Sequence, residues 1–140
     1  MKRIVSVIVA AATLILCFSL SACGNKYSSR YSATLMVMSN TSNEASVSFD
    51  SFSGTYVMQL KNKGDDAVFI TYEAELGAGN IKVYYDCNDE KRELIEIGND
   101  GIIKGKTENF TCNRTVYIII ESDGKCNEGS FSFVLNKAES

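Results

Sequence analysis

The sequence predicts an all-β protein, an antiparallel β-sandwich or jelly roll of about seven to eight strands that follows a signal helix and a short tether. Three observations predict this fold class. From residue 47 onward, short runs rich in β-branched and aromatic residues are separated by Gly, Asn and Asp. In the clearest run, residues 67–76, apolar and polar side chains alternate with a period of two. A single apolar run lies at the N-terminus, which excludes a protein with several membrane spans.

Composition bounds the size and the chemistry. The chain has 140 residues, and the part after the signal has room for one small domain. The whole chain has a formal net charge of −3, and this mild acidity predicts no nucleic-acid partner. The chain has no His, which excludes Ser-His and Cys-His nucleophile pairs and His-ligated metal sites. We therefore expect no catalytic residue, no metal site and no cofactor.

Residues 1–22 have the three parts of a secretory signal peptide. Lys2 and Arg3 supply positive charge, residues 4–20 are apolar apart from three hydroxyl residues, and small residues follow. The apolar run is shorter than the about 20 residues that a membrane-spanning helix needs. We therefore predict that residues 1–22 are removed.

The end of this segment, Leu20-Ser21-Ala22-Cys23, resembles the lipobox of bacterial lipoproteins. The resemblance implies that Cys23 carries a diacylglycerol thioether and anchors the protein to the extracytoplasmic face of the cell membrane. Two acyl chains are enough for stable anchoring, because each buried CH₂ contributes about 0.8 kcal/mol. The alternatives are an uncleaved anchor and ordinary secretion with Cys23 free. Cys17 is disfavoured as the modified residue because bulky side chains precede it.

Residues 23–46 are predicted to form a flexible tether, because residues 27–44 are rich in Ser, Asn and Thr. Residues 33–38 are apolar enough to add an edge strand within it. The sandwich domain is predicted to span residues 47–137. Its seven runs are residues 47–52, 55–61, 67–76, 81–87, 91–97, 115–121 and 130–135.

Three of these runs have sequence features that indicate their type or their place in the sheet. Residues 91–97 can also form a helical turn, but the preceding Asn88-Asp89 is typical of a hairpin turn and favours a strand. Residues 115–121 are apolar on both faces, which predicts a central, covered strand. The last run follows a turn at residues 124–129 and is predicted to close a C-terminal hairpin.

Three segments, GNIKVYYD at 79–86, TVYIIIE at 115–121 and GSFSF at 129–133, together resemble the closing strands of jelly-roll accessory domains on secreted bacterial proteins. The pre-peptidase C-terminal and carbohydrate-binding-like families are examples. This resemblance implies a non-catalytic accessory module. The chain as a whole is similar to small lipoproteins of low-GC Gram-positive bacteria, a similarity that implies no activity.

Three cysteines, Cys87, Cys112 and Cys126, lie beyond the lipobox, and a disulfide is permitted outside the cytoplasm. Cys112 and Cys126 flank one predicted strand, which at about 3.3 Å per residue holds them beyond bridging distance. If the strand ending at Cys87 lies antiparallel beside the strand beginning near Thr115, Cys87 and Cys112 meet at the same end. That bridge would contribute roughly 3 kcal/mol to stability. A bridge from Cys87 to Cys126 and three free thiols are the alternatives.

Tyr84 and Tyr117 are predicted to project from the sheet face opposite the core, on strands that can be neighbours. Outward aromatic rings on a flat sheet can stack on sugar rings, so the two tyrosines are the candidate binding surface. The alternative is that the other sheet or the tether covers this face.

The sequence supports three functional hypotheses. The first is a membrane-anchored, non-catalytic module of the cell envelope that binds a glycan or an envelope protein. The second is a glycan-active enzyme using Glu73 and Glu75, whose spacing approaches the about 5 to 5.5 Å between the carboxyl groups of a retaining glycosidase. Solvent-facing acids on a strand are common, however, and need no catalytic role. The turns between the predicted strands also contain acidic residues, but these lack the ligand spacing of a Ca²⁺-binding loop. The third is an assembly subunit, which predicts a large exposed apolar patch.

Overall fold

The computed structural model describes residues 27–62, 64, 66–112 and 115–138. This part of the chain contains ten antiparallel strands and no helix, so the predicted all-β antiparallel fold is confirmed. No element long and apolar enough to be a membrane-spanning helix occurs within these residues. The predicted signal peptide, residues 1–22, and the predicted lipidation site at Cys23 lie outside the described residues.

The strands are β1 (Arg30–Thr34), β2 (Val37–Asn40), β3 (Glu44–Lys61), β4 (Ala67–Ala78), β5 (Ile81–Cys87), β6 (Glu90–Ile97), β7 (Gly101–Lys106), β8 (Phe110–Thr111), β9 (Thr115–Ser122) and β10 (Cys126–Lys137).

One long strand joins the two halves of the sheet. β3 pairs with β10 through residues 44–52 and with β9 through residues 55–61. Between these stretches Gly54 has a φ of 119°, and a Cβ at this position would lie 2.2 Å from the Arg30 carbonyl oxygen. A glycine is therefore required at the bend. The two runs predicted at residues 47–52 and 55–61 form one strand because Gly54 bends the chain without reversing it.

The strand order is β6-β5-β9-β3-β10-β4-β7, and the end strands β6 and β7 approach each other. The sheet thus rolls into two layers, almost a closed barrel, with the apolar core between them. One layer consists of β6, β5, β9 and the second half of β3, and the other of the first half of β3, β10, β4 and β7. The largest buried core side chains are Phe52, Phe131, Phe133, Met58, Leu60, Ile70, Leu76, Ile81, Ile97, Ile118 and Ile120.

The sheet begins upstream of the predicted domain boundary at residue 47. β1 and β2 pair with β3 at its edge, within residues 23–46, the segment assigned to the tether. Leu35, with a φ of 49°, separates the two strands. Both strands are exposed along almost their whole length. They therefore lack the alternation of buried and exposed side chains that marks a half-buried strand in a sequence.

The predicted C-terminal hairpin is wrong. β10 pairs with β3 and β4 and not with β9. Both edges of β9 are already occupied, by β3 on one side and β5 on the other. β10 therefore crosses to the second layer, where Phe131, Phe133 and Leu135 are buried.

The hairpin predicted between residues 81–87 and 91–97 is confirmed. β5 and β6 pair antiparallel. Asn88 and Asp89 connect them with φ values of 58° and 64°, as a two-residue hairpin turn requires. The helical alternative for residues 91–97 is therefore excluded.

Candidate functional site

The outer face of the first layer carries both predicted binding tyrosines. Tyr84 on β5 lies opposite Ile119 on β9, and Asp86 lies opposite Tyr117. Side chains of directly paired residues project to the same face, so these four share one side of the sheet. It is the outer side, because Ile118, which lies between Tyr117 and Ile119 on β9, is buried in the core. We call this surface, defined by Tyr84 and Tyr117, the tyrosine face.

Ile119 lies at the centre of the tyrosine face. It is 1% exposed although it is not part of the core between the layers. Tyr84 and Val57 flank it on the neighbouring strands, and Tyr117 lies two residues away on its own strand. The two half-buried tyrosines therefore border an apolar centre and are not isolated on a polar surface.

A charged side chain from β6 covers the ring of Tyr84. The Lys91 ammonium lies 4.3 Å from the ring centroid, a cation–π distance, and its Nζ is 3.1 Å from Oε1 of Glu121. The side chains of Lys91 and Glu121 are both 38% exposed. They place a hydrogen-bond donor and an acceptor beside the aromatic ring.

The N-terminal segment contacts the other tyrosine. The rings of Tyr27 and Tyr117 are 5.3 Å apart in an edge-to-face arrangement. The Tyr27 hydroxyl donates a hydrogen bond to the Asp86 carboxylate, which is 2% exposed. Tyr27 belongs to the segment that was predicted to be a tether. Over Tyr117 the structure therefore matches the alternative in which the tether covers this face.

Asp86 and Tyr27 are the residues of this site that sequence reasoning missed. Asp86 is the one buried charged residue of the described chain, and a buried carboxylate is costly unless it accepts hydrogen bonds. The only sequence signals were an acid on the same strand face as Tyr84 and one of two tyrosines in a Ser-rich segment.

A disulfide lies at the end of the tyrosine face. Cys87, the residue after Asp86, is bonded to Cys112, with a Cα–Cα distance of 6.0 Å. Next to it, the Asn88 side chain donates a hydrogen bond to the Thr111 carbonyl at 3.3 Å. These contacts fix the end of β5 to the chain that leads into β9. This pairing is one of the alternatives that the sequence left open.

Cys126 is a free, buried cysteine. Its thiol lies 3.4 Å from the carbonyl oxygen of Asn80. Burial raises the pKa of this thiol, and the Asn80 carbonyl and the Asp123 charge act on it more weakly, in opposite directions. A protonated, enclosed thiol is unreactive, which excludes Cys126 as an activated nucleophile.

Glu73 and Glu75 lie on β4, on the outer surface of the second layer, and both are exposed. Glu73 is 3.6 Å from the ammonium of Lys104. Glu75 lines an open groove of about 670 Å³ together with Asp50 and Glu128. Glu73 does not line this groove, so the two carboxylates do not converge on one cleft as the acid and the nucleophile of a glycosidase must.

The structure offers no metal centre in the residues it describes, since no group of three or more His, Cys, Asp or Glu side chains there could hold an ion.

No protein-family model matches the chain, and no curated protein matches its sequence. Among solved structures, the chain is similar to TmCBM61 in complex with beta-1,4-galactotriose, with 14% sequence identity and a TM-score of 0.50. That match covers 82% of this chain and 92% of the other. A second similar structure is CsCBM6-3 from Clostridium stercorarium in complex with cellobiose, with 15% identity over 81% of this chain and 89% of the other. Its TM-score of 0.39 is too low to support an argument. At these identities the likeness establishes the fold alone: the chain is a β-sandwich of the jelly-roll kind found in carbohydrate-binding modules.

Proposed function

We propose that this protein is a non-catalytic glycan-binding module of the cell envelope, anchored to the membrane by lipid on Cys23. The observation that carries the proposal is the tyrosine face. Tyr84 and Tyr117 lie on neighbouring strands of one outer surface, and each remains partly exposed. Aromatic rings pack against the apolar faces of sugars, while nearby polar groups fix their orientation.

The charges around the tyrosine face favour a neutral ligand. Lys82 and Lys91 supply donors, and Glu93 and Glu121 supply acceptors, all on the strands that carry or flank the tyrosines. Each lysine lies opposite an acid, Lys82 opposite Glu96 and Lys91 opposite Asp86, so neither a polyanion nor a polycation meets a uniform field. A neutral, hydroxyl-rich chain both donates and accepts hydrogen bonds and fits such a surface best.

The solved structure with a TM-score of 0.50 supports the glycan class, because that protein is seen with beta-1,4-galactotriose. For the present chain this oligosaccharide is the first probe to use. The type of sugar bound here depends on side chains that the fold does not determine.

A glycan array probed with the full chain tests the proposal. The protein is kept in a detergent without a sugar headgroup, and beta-1,4-galactotriose is included among neutral oligosaccharides. We expect binding, and we expect the double variant Tyr84→Ala, Tyr117→Ala to weaken it by about tenfold or more, since each lost stacking contact is worth about 0.5 to 1.5 kcal/mol.

The matched control is Phe69→Ala. Phe69 is also a half-buried outer aromatic residue beneath a lysine, with Lys106 Nζ 5.7 Å from its ring centroid, but it lies on β4 in the other layer. This control should bind like the unaltered protein. Absence of glycan binding, or full binding by the tyrosine double variant, would contradict the proposal.

Membrane anchoring needs a separate test, because it rests on the lipobox resemblance at Leu20-Ser21-Ala22-Cys23. We expect intact-mass analysis of protein from cells to show an N-terminal Cys23 that carries a diacylglyceryl group. A chain that retains residues 1–22 with an unmodified Cys23 would overturn the anchor and the localisation drawn from it.

A second candidate function is that of an assembly subunit, and one observation favours it. Four of the five exposed large apolar side chains in the described residues lie close together in sequence, on or between the edge strands β1 and β2: Tyr31, Leu35, Val37 and Met38. Exposed apolar edge strands are typical sites of strand addition. A photo-crosslinking residue at Val37 should capture another envelope protein in cells, while the same residue at the open Gly98 should not. Equal labelling at both positions would remove this candidate.

A further inference from the structure

The Asp86 carboxylate is buried on the outer face of the sheet, and its hydroxyl donor comes from outside the sheet. Tyr27 precedes β1 and belongs to no strand. Its phenol nevertheless reaches Asp86, 59 residues later in the chain, and its ring packs against Tyr117. A polar site on the tyrosine face is thus occupied by the protein's own N-terminal segment.

These two contacts match those that a sugar ring makes with a protein. The rings of Tyr27 and Tyr117 meet edge to face, and the Tyr27 hydroxyl donates to a carboxylate, the stronger kind of hydrogen bond. We propose that Asp86 and Tyr117 form a subsite for one hydroxyl-bearing ring of a glycan, and that Tyr27 occupies this subsite until a glycan displaces it. The inference rests on the proposed function and adds Asp86 as a ligand-binding residue and Tyr27 as an internal competitor.

The position of Tyr27 makes its displacement inexpensive. The strand ladder begins at Arg30, and just before it the Val57 amide donates a hydrogen bond to the Ser29 hydroxyl at 2.9 Å. Tyr27 can therefore leave the face without disturbing a strand pair. Segments beyond the last ladder contact open at low cost. When Tyr27 leaves, water or a glycan hydroxyl can take its place as a donor to the carboxylate.

Self-occupancy lowers the apparent affinity for a glycan. For a ligand that binds only the open form, the apparent dissociation constant equals the dissociation constant of the open form divided by the open fraction. A protein that is open one tenth of the time therefore binds about tenfold more weakly than its open form. Tyr27→Ala should therefore bind glycan more tightly than the unaltered protein by the inverse of the open fraction, about tenfold for an open fraction of one tenth. Tyr27→Phe should also bind more tightly, because it loses the hydrogen bond to Asp86 that favours the closed form.

Two titrations of the full chain test this inference. In the first, N-acetyltyrosinamide serves as a phenol in trans and is followed by saturation-transfer NMR. It should bind Tyr27→Ala at least tenfold more tightly than it binds the unaltered protein, and the added change Asp86→Asn should abolish the gain. Absence of binding to Tyr27→Ala would overturn the subsite.

In the second titration, the glycans of the array are applied to the unaltered chain, to Tyr27→Ala and to Tyr31→Ala. Tyr31 is the matched control, because it belongs to the same N-terminal region but packs against Phe52 and Tyr56 away from the tyrosine face. Tighter binding by Tyr27→Ala alone supports the inference, and equal binding by all three proteins overturns it.

The two titrations separate the inference from the proposed function. If no glycan binds any of the three proteins while N-acetyltyrosinamide binds Tyr27→Ala through Asp86, the glycan function is wrong, and what stands is that Tyr27 occupies a site at Asp86 that another phenol can enter. If glycan binds the unaltered protein and Tyr27→Ala equally, the glycan function stands and competition by Tyr27 is wrong.

Discussion

Gly129 on β10 lies against the ring of Phe49 at one edge of the core. A Cβ at this position would lie 2.2 Å from Cζ of Phe49, which is itself packed against Phe52 and Phe131. The ring is stacked on two neighbouring aromatic rings, so it must shift against them to make room for a methyl group. Gly129→Ala should therefore lower the free energy of unfolding by about 1 to 3 kcal/mol, as expected for overpacking.

Urea denaturation measures this change, and Gly98→Ala is the matched control. No atom lies within 4 Å of a Cβ built at Gly98, so that substitution should change stability by less than about 0.5 kcal/mol. Equal effects of the two substitutions would show that Phe49 does not pack as described.

The buried thiol of Cys126 makes stability depend on pH in the alkaline range. Its pKa is raised above the ordinary 9.0, chiefly by burial, so the folded protein holds this proton to higher pH than the unfolded chain does. Between the two pKa values the folded state binds more protons, and the free energy of unfolding falls as pH rises. Tyr56, whose pKa burial and the Tyr31 phenol raise above 10.0, adds a loss of the same sign at higher pH.

We therefore expect the melting temperature to fall as pH rises above about 9. Thermal melts of the unaltered protein and of Cys126→Ala over this range measure the contribution of the thiol. The slope should be smaller for Cys126→Ala, and identical slopes would contradict the assignment.

At the scale of elements, the disulfide joins the end of β5 to the segment before β9. Cys87 and Cys112 are 25 residues apart, and closing a loop of that length in the unfolded chain corresponds to about 3 kcal/mol. Reducing agent should therefore lower the free energy of unfolding by about this amount. Urea denaturation with and without reductant measures it. The double variant Cys87→Ala, Cys112→Ala should not respond to reductant, and an unaltered protein that also fails to respond would contradict the pairing.

The strands that could be predicted from sequence are those with at least one buried face. In β4 the alternation of Ala74 and Leu76 with two glutamates marks both the strand and its inner face, and β9 is recognised by apolar residues on both faces. β1 and β2 were less clear, because edge strands bury almost nothing. The predicted partner of β10 is wrong because strand pairing depends on which strand edges are free in the folded sheet. The local sequence does not show which edges are free.

The same distinction applies to the site. That Tyr84 and Tyr117 share a face follows from the two-residue period of β-strands and from the assumption that their strands are neighbours. It could therefore be predicted from the local sequence. The contact of Tyr27 with Asp86 joins residues 59 positions apart through a segment that folds back over the sheet. Neither its composition nor its periodicity indicates where it lies. Only the assembled sheet shows that the acid and the phenol meet.

For the whole molecule, the proposed anchor and the tyrosine face are close in the chain. Tyr27 follows Cys23 by four residues, which can span at most about 14 Å when fully extended. If Cys23 is lipidated, the face therefore lies near the bilayer while Tyr27 is bound. Release of Tyr27 moves the first fixed point to Ser29, whose hydroxyl accepts a hydrogen bond from the Val57 amide, and extends the reach to about 22 Å.

This geometry predicts a dependence on ligand size. On lipid vesicles, the gain in affinity from Tyr27→Ala should be larger for long oligosaccharides than for short ones, because only the released domain leaves room for a long chain. Flotation assays with labelled glycans of increasing length measure this. A gain that is the same at every length would contradict the proposed closeness of the face to the membrane.

Binding of a glycan at the tyrosine face is tested most directly by NMR of the chain with isotope-labelled tyrosine rings. The chain has seven tyrosines, so each ring can be assigned by substitution. During titration with beta-1,4-galactotriose, or with the glycan that binds best on the array, the signals of Tyr84 and Tyr117 should shift and saturate together, while that of Tyr72 on β4 should stay in place. A glycan that saturates the protein and leaves both Tyr84 and Tyr117 unshifted would contradict the account.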